Sequence, residues 1–203
     1  MDSDGKKIEE KVIKVILLGE MGVGKTCIIN RFITNEFNKE IPITLAASYL
    51  TKEIKKQNIK YKLKIWDTTG QEKYHSVTNL FIKGSNIIIL VYSIDSINSF
   101  EKLNYWYESF KKNIEDDNYI LAVVGNKSDL ISEMNVSEEE GKKFAEEKEA
   151  IFKLISAKVD PIGINDLFDK LLEELSQIDF ESRTESYFIE KKKVKKKKKQ
   201  KCC

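Results

Sequence analysis

The sequence predicts an α/β fold whose mostly parallel sheet carries helices on both faces. Two observations point there. Apolar runs of strand length alternate with amphipathic stretches of helical period. The first of those runs leads straight into a glycine-rich turn, Gly19-Glu20-Met21-Gly22-Val23-Gly24-Lys25-Thr26, that opens a helix. Six strands are expected, over residues 12–18, 48–56, 60–67, 87–92, 120–125 and 152–155. Gln57-Asn58-Ile59 separates the second from the third and fits a hairpin. Helices are expected over 27–34 and after Gly70, Ser99, Ser137 and Pro161. Ser137 and Glu140 have the spacing of a capping box. In the last helix Ile164, Leu167, Phe168, Leu171, Leu172 and Leu175 recur at i, i+3, i+4, i+7, i+8 and i+11, a stripe that belongs to the core.

Length and charge set further bounds. A chain of 203 residues suits one domain with a substantial core. No stretch approaches the roughly 20 apolar residues that span a bilayer, and the charged start of the chain does not read as a signal peptide. Cys27, Cys202 and Cys203 form neither a disulfide framework nor a zinc pattern, which fits a reducing, cytosolic compartment. The net charge of +2 conceals an asymmetry: residues 191–201 hold nine lysines and no acid, leaving 26 bases against 33 acids elsewhere. An acidic body with a basic tail argues against a nucleic-acid-binding domain. Periodicity stops after about Ile178. The sequence therefore divides into a flexible N-terminus (1–10), one folded domain (11–178) and a disordered polybasic tail (179–203).

The glycine-rich turn fits G-x-x-x-x-G-K-(S/T), a phosphate-binding loop, and makes the expected fold the three-layer P-loop NTPase type with a six-stranded sheet. Between Gly19, Glu20, Met21, Gly22, Val23 and Gly24 the backbone can curl so that N–H groups face phosphate oxygens. The helix N-terminus, running into Cys27, adds partial positive charge. Lys25 would reach the β- and γ-phosphates, and the Thr26 hydroxyl would ligate Mg²⁺. Alone, that leaves ATPase, kinase and GTPase open. Asp67-Thr68-Thr69-Gly70 ends the third strand: Asp67 can hold Mg²⁺ through a water, and the Gly70 N–H can meet a γ-phosphate. Asn126-Lys127-Ser128-Asp129 ends the fifth strand, and a carboxylate at Asp129 can accept from N1–H and the 2-amino group of guanine. Adenine offers neither donor, so it would leave buried groups unpaired. Ser156-Ala157-Lys158 ends the sixth strand and can present an N–H to the guanine O6. All stand at C-terminal strand ends, where open α/β sheets bind ligands.

In this order and spacing the motifs resemble the small Ras-like GTPases over about residues 11–176. Within them the chain looks like a Rab. Tyr61-Lys62-Leu63-Lys64-Ile65-Trp66-Asp67, Lys73-Tyr74-His75-Ser76-Val77-Thr78, Phe81-Ile82-Lys83-Gly84-Ser85 and Leu90-Val91-Tyr92-Ser93-Ile94 all match Rab-type segments. Tyr74-His75-Ser76 and Thr44-Leu45-Ala46-Ala47-Ser48-Tyr49-Leu50-Thr51 are similar to the early-endosomal branch. The resemblance implies further roles. Thr44 would ligate Mg²⁺ and sense the γ-phosphate, Gln71 would orient the attacking water, Phe37 would stack on guanine, and Lys127 would cover the other ring face. It implies GTP/GDP and Mg²⁺ as ligands, and effectors bound through residues 44–49, Trp66 and residues 73–83. It also implies an exchange factor, a GTPase-activating protein and a carrier that shields prenyl groups. A monomer is expected. Neither Arg31 nor Arg183 is placed to act as an arginine finger, so one would come from the activating partner.

Three residues depart from the family pattern. Met21 stands where a small residue is usual, Thr69 where alanine is, and Ala46 where glycine is. Slow hydrolysis is expected, with a GTP-locked effector scaffold as the alternative. A Ras- or Rho-type signalling switch is the other alternative. Cys202-Cys203 looks like the Rab double-cysteine prenylation signal rather than a C-a-a-X box. With the lysine run it implies an anionic membrane surface: the cytoplasmic face of endomembranes, the early endosome among them, with a carrier-bound cytosolic pool. The competing reading of the lysines is a nuclear localisation signal.

Overall fold

The strand-length apolar runs form one six-stranded sheet. The computed structural model describes residues 9–39, 44, 48–56, 58–70, 80–114 and 118–177. Its strands are β1 (Glu9–Leu18), β2 (Ser48–Lys56), β3 (Ile59–Asp67), β4 (Ile87–Ser93), β5 (Ile120–Asn126) and β6 (Ile151–Leu154). Its helices are α1 (Lys25–Thr34), α2 (Ile97–Glu101), α3 (Leu103–Asn113), α4 (Glu138–Glu147) and α5 (Pro161–Gln177), with a 3₁₀ turn at Ile131–Glu133. The order across the sheet is β2-β3-β1-β4-β5-β6, and among the described residues only the β2–β3 pair is antiparallel. From β1 the chain crosses to the edge strand β2, returns through β3, and then builds outward on the other side through β4, β5 and β6. That reversal opens a crevice at the C-terminal ends of the central strands.

Alternation along each central strand splits the core into two layers. Val15 and Leu17 of β1, Ile87, Ile89 and Val91 of β4, and Ala122 and Val124 of β5 face α1 and α5. Ile16 and Leu18, Ile88, Leu90 and Tyr92, and Leu121 and Val123 face α3 and α4. Continuous apolar runs are what strands buried on both faces require. The stripe expected on α5 is buried throughout, and the Phe168 ring stacks on Phe32 of α1 with centroids 3.6 Å apart.

The element ends need some correction. β1 begins three residues earlier than expected and β6 sits one residue earlier. Ile59 already pairs with Lys56, which shortens the hairpin connection to residues 57–58. The helix expected after Ser99 starts two residues before it, because Ser96 is the N-cap. The Ser99 hydroxyl is buried instead and donates to the Ser96 carbonyl at 2.7 Å. Ser137 and Glu140 form the expected reciprocal capping box. The start of the helix expected after Gly70 lies outside the described residues, as do the N-terminal residues 1–8 and the tail from 178.

Truncating Phe168→Ala removes a ring that both α1 and α5 use. Unfolding in urea at fixed nucleotide and Mg²⁺ concentration should show a loss of about 3–5 kcal/mol, the usual cost of emptying a buried phenylalanine site.

Candidate functional site

Residues 19–24 leave β1, turn, and enter α1 at Lys25. Gly24 is the N-cap in a left-handed conformation (φ 96°), and a Cβ there would lie 2.3 Å from Asn126 Nδ2. Only glycine satisfies both conditions. The Lys25 ammonium is buried. It donates to the Gly19 carbonyl at 2.6 Å and the Glu20 carbonyl at 2.8 Å, which curls the loop back over the helix start. Burial lowers its pKa to about 8, while the Asp67 and Glu20 carboxylates pull the other way. A phosphate brought to the loop would relieve that burial penalty.

Three oxygen-bearing side chains converge beside it. Thr26 Oγ1 donates to Asp67 Oδ2 at 2.7 Å, and Thr44 Oγ1 lies 3.1 Å from Thr26 Oγ1. The other Asp67 oxygen is buried with no hydrogen-bond partner among the described residues. Burial raises the Asp67 pKa, against hydrogen bonds from Thr26 and Thr44 and the charge of Lys25. Hard oxygen donors with one orphaned carboxylate oxygen suit a small divalent cation. Thr26, Thr44 and Asp67 would hold Mg²⁺ here. Next to them opens a cavity of about 330 Å³, lined also by Met21, Lys39, Thr69 and Gly70. Gly70 packs so close that a Cβ would lie 2.2 Å from the Met21 nitrogen. Met21 is 56% exposed at the rim, whereas Thr69 is buried.

The second half of the site stands at the ends of β5 and β6. The buried Asn126 amide joins it to the first. Its Nδ2 donates to the Val23 carbonyl at 2.8 Å, and its Oδ1 accepts from the Ala157 N–H at 3.1 Å. Ser156 Oγ donates to Asp129 Oδ1 at 2.5 Å and accepts from the Lys158 N–H at 3.2 Å. Lys127 adopts a left-handed backbone (φ 63°), and its ammonium lies 3.5 Å from Asp95 Oδ2. Phe37 is half-buried against the α1–α5 core layer, with the Arg31 guanidinium carbon 5.8 Å from its ring centroid. Gln71, Ala46, His75, Arg183, Cys202 and Cys203 lie outside the described residues.

Several contributors were not legible in the sequence. Lys39 lines the cavity, but one exposed lysine in so lysine-rich a chain carries no signal. Asp95 gives no sign in sequence that it meets Lys127. Glu20 of the loop accepts a hydrogen bond at 3.0 Å from Nε1 of the fully buried Trp106 in α3, 86 positions away. On the outer side, Trp66 of β3 stacks with Phe81 (centroids 4.7 Å apart) and lies against Tyr49 (5.2 Å), an aromatic group open to solvent at Tyr49.

The family model of the Ras family matches residues 14–177. The chain belongs to the Ras family. Among its relatives, mouse Ras-related protein Rab-17 is 39% identical over 166 residues, covering 82% of this chain and 77% of its own length. Human Rab-22A and human Rab-31 are each 34% identical over 191 residues, covering 94% of this chain and 97% of theirs. These relatives make it a Rab-type member of the small GTPases.

The Trp106–Glu20 bond yields a test of the phosphate loop. Trp106→Phe removes one hydrogen bond to a carboxylate, a contact of about 1.5–3 kcal/mol. Release of a fluorescent GDP analogue from the variant should be roughly tenfold faster or more. Glu20→Gln, which keeps an acceptor, should fall between variant and parent.

Proposed function

We propose that this protein is a GTP-binding, GTP-hydrolysing switch of the Rab type that regulates vesicle traffic, membrane tethering and fusion, with an endocytic role. One observation carries the nucleotide reading: a buried lysine and three convergent oxygen donors are tied through Asn126 to the loop whose Ser156 holds the Asp129 carboxylate in place. The first group suits a polyphosphate with its cation. The second suits the N1–H and 2-amino edge of guanine. The endocytic reading rests on the segments that resemble the early-endosomal branch.

In this reading residues 11–178 form the switch domain. Gly19 through Cys27 hold the phosphates, with Lys25 on the β- and γ-oxygens. Phe37 and Lys127 flank the base, Asp129 reads its edge, and the Ser156-Ala157-Lys158 loop meets O6. Bound Mg²⁺ would neutralise charge on the transferring phosphoryl group. Gln71 orients the water that attacks the γ-phosphorus, and Gly70 and Thr44 lose their contact when that phosphate leaves. Effectors then lose the face built around Tyr49, Trp66 and Phe81. An exchange factor reloads GTP, and an activating protein supplies the arginine that neither Arg31 nor Arg183 provides. Cys202 and Cys203 carry the prenyl groups. The lysine run holds the monomer on the cytoplasmic face of endomembranes, including the early endosome, and a carrier shields a cytosolic pool.

Met21 and Thr69 favour slow turnover, since both line the cavity where Gly70 closes on the loop. Single-turnover hydrolysis of preloaded GTP should run tenfold or more below roughly 10⁻⁴ s⁻¹, the unassisted scale for this chemistry. Met21→Ser with Thr69→Ala should restore that scale, and ATP should not be retained. Equal rates for parent and double variant would mean that both side chains are accommodated. Replacing Cys202 and Cys203 with serine should move the membrane-bound pool into the soluble fraction of a cell lysate. Retention on membranes would reject the lipid-anchor assignment.

A further inference from the structure

Arg31 lies in the last turn of α1, and all three of its guanidinium nitrogens are used on main-chain carbonyls. Nε donates to the Ala157 carbonyl at 2.9 Å, Nη2 to the Lys158 carbonyl at 2.8 Å and Nη1 to the Asn35 carbonyl at 2.8 Å. A residue serving only as a helix C-cap would need the Asn35 contact alone. Two further bonds to consecutive carbonyls of another element are the fork geometry that arginine provides and lysine cannot.

We propose that Arg31 is a positioning residue for the purine: acting from α1 through the Ala157 and Lys158 carbonyls, it fixes the loop that faces O6. The proposal rests on the reading of 156–158 as the O6 loop.

The peptide group between Ala157 and Lys158 shows how this works. Its carbonyl accepts from Arg31 Nε, and its N–H is the Lys158 amide, 3.2 Å from Ser156 Oγ. That N–H is donated to Ser156 Oγ, so the guanidinium on the carbonyl fixes the orientation of the peptide plane. The preceding N–H, that of Ala157, is held by Asn126 Oδ1. The loop is therefore gripped from both sides, by Asn126 toward the phosphate loop and by Arg31 toward α1. It needs that grip, because it follows a four-residue strand paired on one side only, β6 at the sheet edge. The same guanidinium lies over Phe37, so the residue sits where α1, the loop and the expected base-stacking ring meet.

The test uses the full chain with Mg²⁺, and Arg31→Lys and Arg31→Met beside the parent. Release rates are measured for GDP, 6-thio-GDP and IDP. Sulfur for O6 weakens the acceptor that the loop meets and keeps the 2-amino group. IDP keeps O6 and lacks the 2-amino group read by Asp129. The parent should release 6-thio-GDP faster than GDP, on the order of tenfold. In both variants that ratio should fall toward one, while the IDP-to-GDP ratio holds. If the 6-thio-GDP ratio stays at the parent value in the variants, Arg31 is only a structural clamp, even if every nucleotide leaves faster. If the parent itself releases GDP and 6-thio-GDP at one rate, the loop does not read O6 and the inference falls with that reading. Should Arg31→Met fail to fold, Arg31→Lys alone decides, since it keeps the charge and loses the fork.

Discussion

A positive charge buried at the start of α1 is the constraint on which the rest of the site depends. An ammonium withdrawn from water is costly unless it is paired and hydrogen-bonded. Lys25 is supplied by the two carbonyls it draws over itself, and that curl is possible only with Gly24 in a left-handed conformation. Its counter-charge, Asp67, comes from the neighbouring strand, which is why β3 has to lie beside β1. Asp67 in turn needs Thr26 and Thr44, and one of its oxygens has no partner among the described residues. Among the described residues that oxygen is satisfied by nothing, and the Lys25 charge stays buried. The cluster is thus tuned to gain from an anion and a cation arriving together.

Specific side-chain bonds between described residues tie together the elements around the site. Asn126 ties the phosphate loop to the loop after β6, Glu20 ties it to α3 through Trp106, and Arg31 ties α1 to 157–158. These bonds cross between elements that the sheet order alone would leave as neighbours without a fixed register. Because the core layers on either face are continuous apolar packing, the polar links above them can be short and few.

What the sequence disclosed follows a physical pattern. The phosphate-loop motif, the Ser137–Glu140 box and the stripe on α5 are local: each is written within about a dozen residues, and each stands where it was expected. The start of α2 misled because Ser96 and Ser99 are equally good caps by composition. The choice between them is made by the Ser93 carbonyl and N–H, which take the Ser99 hydroxyl into the interior. The Trp106–Glu20, Lys127–Asp95 and Arg31–Ala157 contacts were not legible, since they join residues between 32 and 126 positions apart and none alters the local pattern. Trp106 reads as plain core, and Arg31 as one more basic residue on an exposed helix face.

The separation of Arg31 from Ala157 by 126 positions also orders events during synthesis. At roughly 5–20 residues per second, the ribosome makes the loop after β6 on the order of ten seconds after α1. Lys25, Thr26, Thr44 and Asp67 are all made within the first third of the chain. A nascent chain therefore has every side chain of the phosphate and cation cluster before it has the loop that completes the base side. On the proposed reading of that loop, discrimination between purines is a late acquisition, completed only as α5 follows it out of the ribosome.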